Sequence, residues 1–269
     1  EAKGERFDLR GSILYGVGLA SLIYGFSSLP HIDGILCLTA GVLAFVVFIL
    51  FERKQGFPVF NVRLFSGNKV FCLSSVAALI NYAATFAIAF MLSLYLQYVR
   101  GLDARHAGLI LISQACIQSV CSVLAGYVSN RISPSKLATT GMCISVAGLI
   151  GLVFLNIQTP YWLIILLLLL LGIGFGLFSS PNTNVIMSSV EKQYYSQASA
   201  TTGTMRLAGQ AISMGIASMA ISLHVGNLKI VPALYPAFMQ SMRTTFIVFV
   251  ILCAVGVYAS TARIKPTKA

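Results

Sequence analysis

The residues with the most chemical capacity in this chain are uncharged. Asn81, Tyr82 and Thr85 form one group, Gln114 and Gln118 a second, Gln210 and Ser213 a third, and each group interrupts an otherwise apolar run. Amides, phenols and hydroxyls donate and accept hydrogen bonds without titrating near neutral pH, so they suit the binding and passage of a ligand better than bond-making. Catalysis would need a nucleophile beside a base, or a cluster of acids and histidines. The seven acids are Glu1, Glu5, Asp8, Asp33, Glu52, Asp103 and Glu191, and His31, His106 and His224 sit at the ends of apolar segments. They compose no such constellation, so neither an enzyme, a cofactor nor a metal site is expected. The six cysteines contain no CxxC pair and read as buried small apolar residues.

The elements that carry these groups must be membrane helices. Between Lys136 and Glu191 lie 54 residues without Asp, Glu, Lys or Arg. A hydrocarbon core about 30 Å thick takes roughly 20 apolar residues per crossing helix. That stretch crosses twice, with a turn at Asn156 to Pro160. The whole chain is 57% hydrophobic and 9% charged, far from the roughly 25% charge of a soluble domain. Backbone amides stay paired in lipid only as helices or a closed barrel. The unbroken aliphatic run from Leu163 to Leu171 lacks the alternation of barrel strands. The fold class is therefore all-α integral membrane, with eight spans near 11–30, 34–51, 70–97, 107–128, 137–156, 161–182, 200–222 and 244–262.

The spans differ in polarity. The fifth and eighth are bland at mid-depth and read as lipid-facing. The third, fourth and seventh carry the amides, and Gln114 and Gln118, spaced i,i+4, share a face. Amides at mid-membrane are costly against lipid, so those faces turn either toward a water-filled cavity or toward neighbouring helices as interhelical hydrogen bonds; the set as a whole favours a cavity. Gly172 and Gly176 are spaced for close helix packing. Pro181 should end or kink the sixth span, leaving Asn182, Thr183 and Asn184 to line an entrance or solvate the helix end. Arg206 is the one charge inside a span. It reads either as a counter-charge for substrate or as a side chain snorkelling to nearby headgroups.

Eight spans put both ends on one side. If that side is the cytoplasm, fourteen Lys and Arg lie there, and only Arg100, Arg105, Lys229 and Arg243 lie outside. The bias follows the positive-inside rule and places the chain in the cell membrane, multi-pass, with cytoplasmic termini. The net charge of +11 is scattered over short loops and forms no stripe for nucleic acid. The chain opens on a polar stretch without Met, and its first apolar segment leads to further spans rather than to a cleavage site. It reads as the later part of a longer protein.

Four stretches carry a family resemblance. Pro58, the pair Leu64 and Phe65, and the basic restart at Lys69 form one. The run from Leu94 to Gly101, followed by Ala107 and Gly108, is the second. Leu171 to Gly176 through Ser180 to Asn182 is the third, and Met205, Arg206, Gly209, Gln210 and Gly215 the fourth. In that order they resemble the major facilitator superfamily, and within it the fourteen-helix drug:proton antiporter family. The resemblance implies that residues 1–69 are the two extra central helices and a cytoplasmic linker, and that 70–269 are the C-terminal six-helix half. It also implies that the first half of the transporter is absent. The superfamily's gating loop has a glycine, an Asp-Arg pair, a second glycine and basic residues. Here Gly126, Arg131 and Lys136 match in kind, while Asn130 replaces the acid and Ser133 the glycine. A carboxylate holds a charge-assisted bond that an Asn cannot match.

The function implied is secondary transport, with a site near the midplane between two repeats. The complete protein is expected to export amphipathic or cationic small molecules by proton antiport. No acid of this chain lies at mid-membrane, so the coupling acid is expected in the absent half. The expected partners are the lipid bilayer, a small-molecule substrate, protons and that N-terminal half. A transporter of one defined metabolite, or a non-transporting membrane sensor or scaffold, are the other readings.

Overall fold

A computed structural model describes residues 9–28, 31–52, 65, 67–129, 131–226 and 231–262. Among the described residues the regular structure is entirely helical. The helices are α1 (Leu9–Ser27), α2 (Ile32–Glu52), α3 (Lys69–Thr85), α4 (Ile88–Leu94), α5 (Ala104–Val128), α6 (Pro134–Val153), α7 (Tyr161–Ser188), α8 (Tyr195–His224) and α9 (Tyr235–Ala262). Among the described residues, seven continuous helical stretches are long and apolar enough to cross a membrane, α3 and α4 forming one of them within Lys69–Val99. The first expected span is a helix of 19 residues whose apolar part, Ile13–Phe26, is shorter than the others.

The third span is broken where its sequence has neither Gly nor Pro. Thr85 Oγ1 donates back to the Asn81 carbonyl at 2.8 Å, a local bond of the kind that bends helices. Ala87, between α3 and α4, donates its N–H to Ser213 Oγ of α8 at 2.9 Å. The break is thus closed from a neighbouring helix. The span ends in a π-turn, Tyr95–Val99, and Gly101 then takes a left-handed φ of 66°. Asp103 caps α5, accepting from the His106 N–H, and the hydrogen bond with the His106 ring holds its carboxyl below the usual carboxylate range.

α6 and α5 pack on opposite sides of α7, α9 closes against α6 and α3, and α3 packs on α8. The core between them is built from Ile88, Met91, Tyr95, Met142, Phe178, Phe246 and Phe249, all essentially excluded from solvent. The α1–α2 hairpin lies outside this bundle and meets it at α8. There Phe26 seats at Gly215 and the Tyr15 hydroxyl bonds Thr204 Oγ1.

Three expectations are corrected. Pro181 does not end the sixth span: α7 runs on to Ser188 with the proline inside it. Neighbouring helices sustain a proline in a membrane span, and here Asn182 Nδ2 donates across to the Ser74 carbonyl at 3.1 Å. The eighth span begins at Tyr235 rather than near 244, because Pro236 falls in the first turn, where its missing N–H costs nothing. Of the cysteines only Cys253 is buried, while Cys116 and Cys143 are exposed.

Candidate functional site

Close backbone contact sets the position of each polar face. A Cβ on Gly172 would stand 2.6 Å from the Gln114 carbonyl, and one on Gly176 2.8 Å from the Gln118 carbonyl. These two glycines let α7 pass against the backbone of α5, so that the two Gln side chains emerge beside the seam rather than inside it. On the other flank a Cβ on Gly209 would stand 2.5 Å from the Leu79 carbonyl and 2.8 Å from Tyr82 Cβ. That contact brings α8, with Arg206 and Gln210, against the turn of α3 that bears Tyr82.

The result is one cavity of about 500 Å³. Tyr82 and Thr85 from α3, Gln114 and Gln118 from α5, and Arg206 and Gln210 from α8 all line it. The rest of the lining lies outside the expected set and includes Phe86 at the helix break, and Phe175 and Ser179 of α7. Phe175 stands edge-on to Tyr82, with ring centroids 5.4 Å apart, and gives the cavity an aromatic wall. Nothing in its local sequence marks Phe175, since it is one more apolar residue in an apolar run. No Asp or Glu is among the lining residues, so the guanidinium of Arg206 has no counter-charge there. Arg206 lines the cavity and is exposed, and the polar run before it is continuous α8 helix from Tyr195.

Asn81 departs from the expected set. Its side chain is fully buried, it is not part of the cavity lining, and neither Nδ2 nor Oδ1 finds a hydrogen-bond partner. The reason is angular. Successive helix residues are about 100° apart, so where Tyr82 faces the cavity, Asn81 turns into the bundle.

The gating-loop residues are only partly placed. Gly126 lies in the last turns of α5, with Ser180 Oγ 3.6 Å from where its Cβ would be. Arg131 and Lys136 are exposed and neither enters an ion pair among the described residues. Asn130 lies outside the described residues. The opposite end is tightly tied. Arg100 Nη1 donates to the carbonyls of Ile157 and Thr159 at 2.6 and 2.9 Å, its guanidinium covers the Tyr161 ring, and the Tyr95 hydroxyl donates to the Asn156 carbonyl at 2.7 Å.

Helices of transmembrane length surround this amide-lined cavity, and residues 11–214 match the family model of the Major Facilitator Superfamily. The chain belongs to the Major Facilitator Superfamily. Among curated members, an uncharacterized transporter of Escherichia coli (strain K12), YebQ, is 32% identical over 83% of this chain and 49% of its own length. The riboflavin transporter RibZ of Clostridioides difficile (strain 630) is 24% identical over 72% of this chain and 42% of its own. The methylenomycin A resistance protein of Bacillus subtilis (strain 168) is 26% identical over 82% and 48%. The chain therefore spans about half the length of these superfamily relatives. A bacterial homolog of the human lysosomal transporter Spinster, inward-facing and unoccupied, shares the fold at a TM-score of 0.61 and 14% identity, over 94% of this chain and 64% of that one.

Proposed function

We propose that this chain forms the second six-helix half, with two additional helices, of a fourteen-helix drug:proton antiporter, and that the 500 Å³ cavity is its share of the substrate path. The observation that carries the reading is the cavity itself. Its lining comes from helices of four different spans around the Tyr82 and Phe175 pair, with Thr85, Gln114, Gln118, Ser179 and Gln210 as sparse uncharged polar side chains and Arg206 as the one cation. Apolar walls with sparse hydrogen-bonding groups suit loosely specified amphipathic ligands. α5, which forms one wall, buries only Ala107 and Ala125 within this chain, which leaves a face for an N-terminal half to cover. With no acid on the cavity, the proton-coupling carboxylate belongs to that half, opposite Arg206.

The resistance protein among the relatives favours drug export. The riboflavin transporter favours the second reading, one defined metabolite. Expression of the full-length protein in efflux-deficient cells distinguishes the two. Lowered accumulation of several unrelated cationic dyes, abolished by collapsing the proton gradient, supports drug:proton antiport. Unchanged accumulation and tolerance across a broad panel of dyes and drugs rejects it in favour of the metabolite reading, and failure to move any solute leaves the sensor or scaffold.

A further inference from the structure

A second cleft among the described residues is separate from the cavity of Tyr82 and Gln118. It measures about 730 Å³ and lies between the loop joining α6 to α7 and the first turns of α9. Its α9 wall is one helical face, Pro236, Met239, Gln240, Arg243, Thr244 and Ile247, and its loop wall includes Asn156 and Gln158. The loop wall is rigid. Asn156 accepts from the Gln158 N–H at 2.8 Å and gives its own N–H to Thr159 Oγ1 at 2.9 Å, and the Arg100 clamp and the Tyr95 hydroxyl hold the same turn from behind.

Arg243 is exposed and takes part in no hydrogen bond or ion pair among the described residues. Gln240 and Thr244 flank it, so the mouth of the cleft offers a guanidinium, an amide and a hydroxyl with no acid beside them. Toward the middle of the span the character changes. Ile247, Ile251, Val255 and Tyr258 are all exposed and follow one another along the same face of α9. At 1.5 Å per residue that stripe is about 16 Å long, close to the ~15 Å of half a bilayer's hydrocarbon core.

We propose that this cleft is a binding site for an anionic phospholipid of the leaflet at the Arg243 end of α9. The phosphate sits on the Arg243 guanidinium, whose planar fork matches phosphate oxygens. Gln240 and Thr244 reach the rest of the headgroup, and one acyl chain lies along the stripe from Ile247 to Tyr258. An uncompensated cation at the mouth selects an anionic headgroup over a zwitterionic one, whose own ammonium group would stand beside the guanidinium. An apolar stripe of leaflet depth selects a lipid over a free anion.

The test is native mass spectrometry of the full-length protein in mild detergent, titrated with phosphatidylglycerol and with phosphatidylcholine of identical chains. The wild type should retain phosphatidylglycerol in preference. Arg243→Gln should weaken that retention about tenfold, the loss expected for one charge-assisted phosphate contact, and Lys192→Gln, an exposed cation past the far end of α7, should leave it unchanged. Equal retention of the two lipids, or undiminished retention by Arg243→Gln, overturns the proposal. So does displacement of phosphatidylglycerol by glycerol phosphate alone, which would mark a small-anion site. Should Arg243→Gln fail to fold, hydrogen exchange of the wild type in nanodiscs decides: slower exchange over residues 155–158 in phosphatidylglycerol than in phosphatidylcholine supports the site, and identical exchange rejects it.

Discussion

α5 and α9 are both long apolar helices on the outside of the bundle, and they expose opposite chemistry. α9 buries nine residues on one face and presents Ile247, Ile251, Val255 and Tyr258 on the other. α5 buries two, yet among its uncovered residues it carries Gln114 and Gln118 to the cavity. Lipid accepts the first pattern and penalises the second. Exposure alone therefore does not distinguish a lipid face from a face that lines a cavity. Polar groups at mid-depth do, because only water, a ligand or a partner helix can satisfy them.

The largest expected contrast comes from placing the same charge on both helices. Ile251→Asp should cost about 2.5–3.5 kcal/mol of membrane insertion, read as lost yield of folded protein. Gln118→Asp should insert nearly normally, because its side chain meets the cavity rather than acyl chains. Equal losses would erase the distinction. Next in size is the attachment of α5. Gly172→Leu drives a side chain into the Gln114 carbonyl and should cost about 1–3 kcal/mol or more as overpacking, with thermal stability and transport falling together.

Asn81→Leu should move stability the other way. A buried amide with both ends unpaired costs roughly 1–3 kcal/mol, and Leu removes the unpaired groups at similar size. A raised melting temperature with unchanged transport is the expected outcome; a lowered one would mean that the amide finds a partner in the complete protein. The smallest stability effect belongs to Gln118→Leu. Interhelical polar bonds in membranes average about 0.6 kcal/mol, so its melting temperature should barely move while substrate preference or rate changes.

Much of this was legible in the sequence. Eight apolar segments anticipated the helices to within a few residues except at the end of α7 and at the starts of α8 and α9, because hydrophobic length is imposed by the bilayer. The i,i+4 spacing of Gln114 and Gln118 placed both on one face, and the pairing of Gly172 with Gly176 announced a close approach. What could not be read was rotation and context. Asn81 and Tyr82 are adjacent and equally polar, and only the packing of Gly209 against α3 decides which one meets the cavity. The break at Phe86 and Ala87 depends on Ser213, 126 residues away along the chain, and so has no local signature. Phe175 enters the site only through its contact with Tyr82.

The most direct test of the cavity as a solvated path is thiol labelling. In the full-length protein with native cysteines replaced, Gln118→Cys and Ile251→Cys are each exposed to a charged, membrane-impermeant thiol reagent in open membrane sheets that present both sides. Rapid labelling at position 118 and none at 251 is the predicted result. An unreactive position 118, or equal labelling at the two sites, would contradict it.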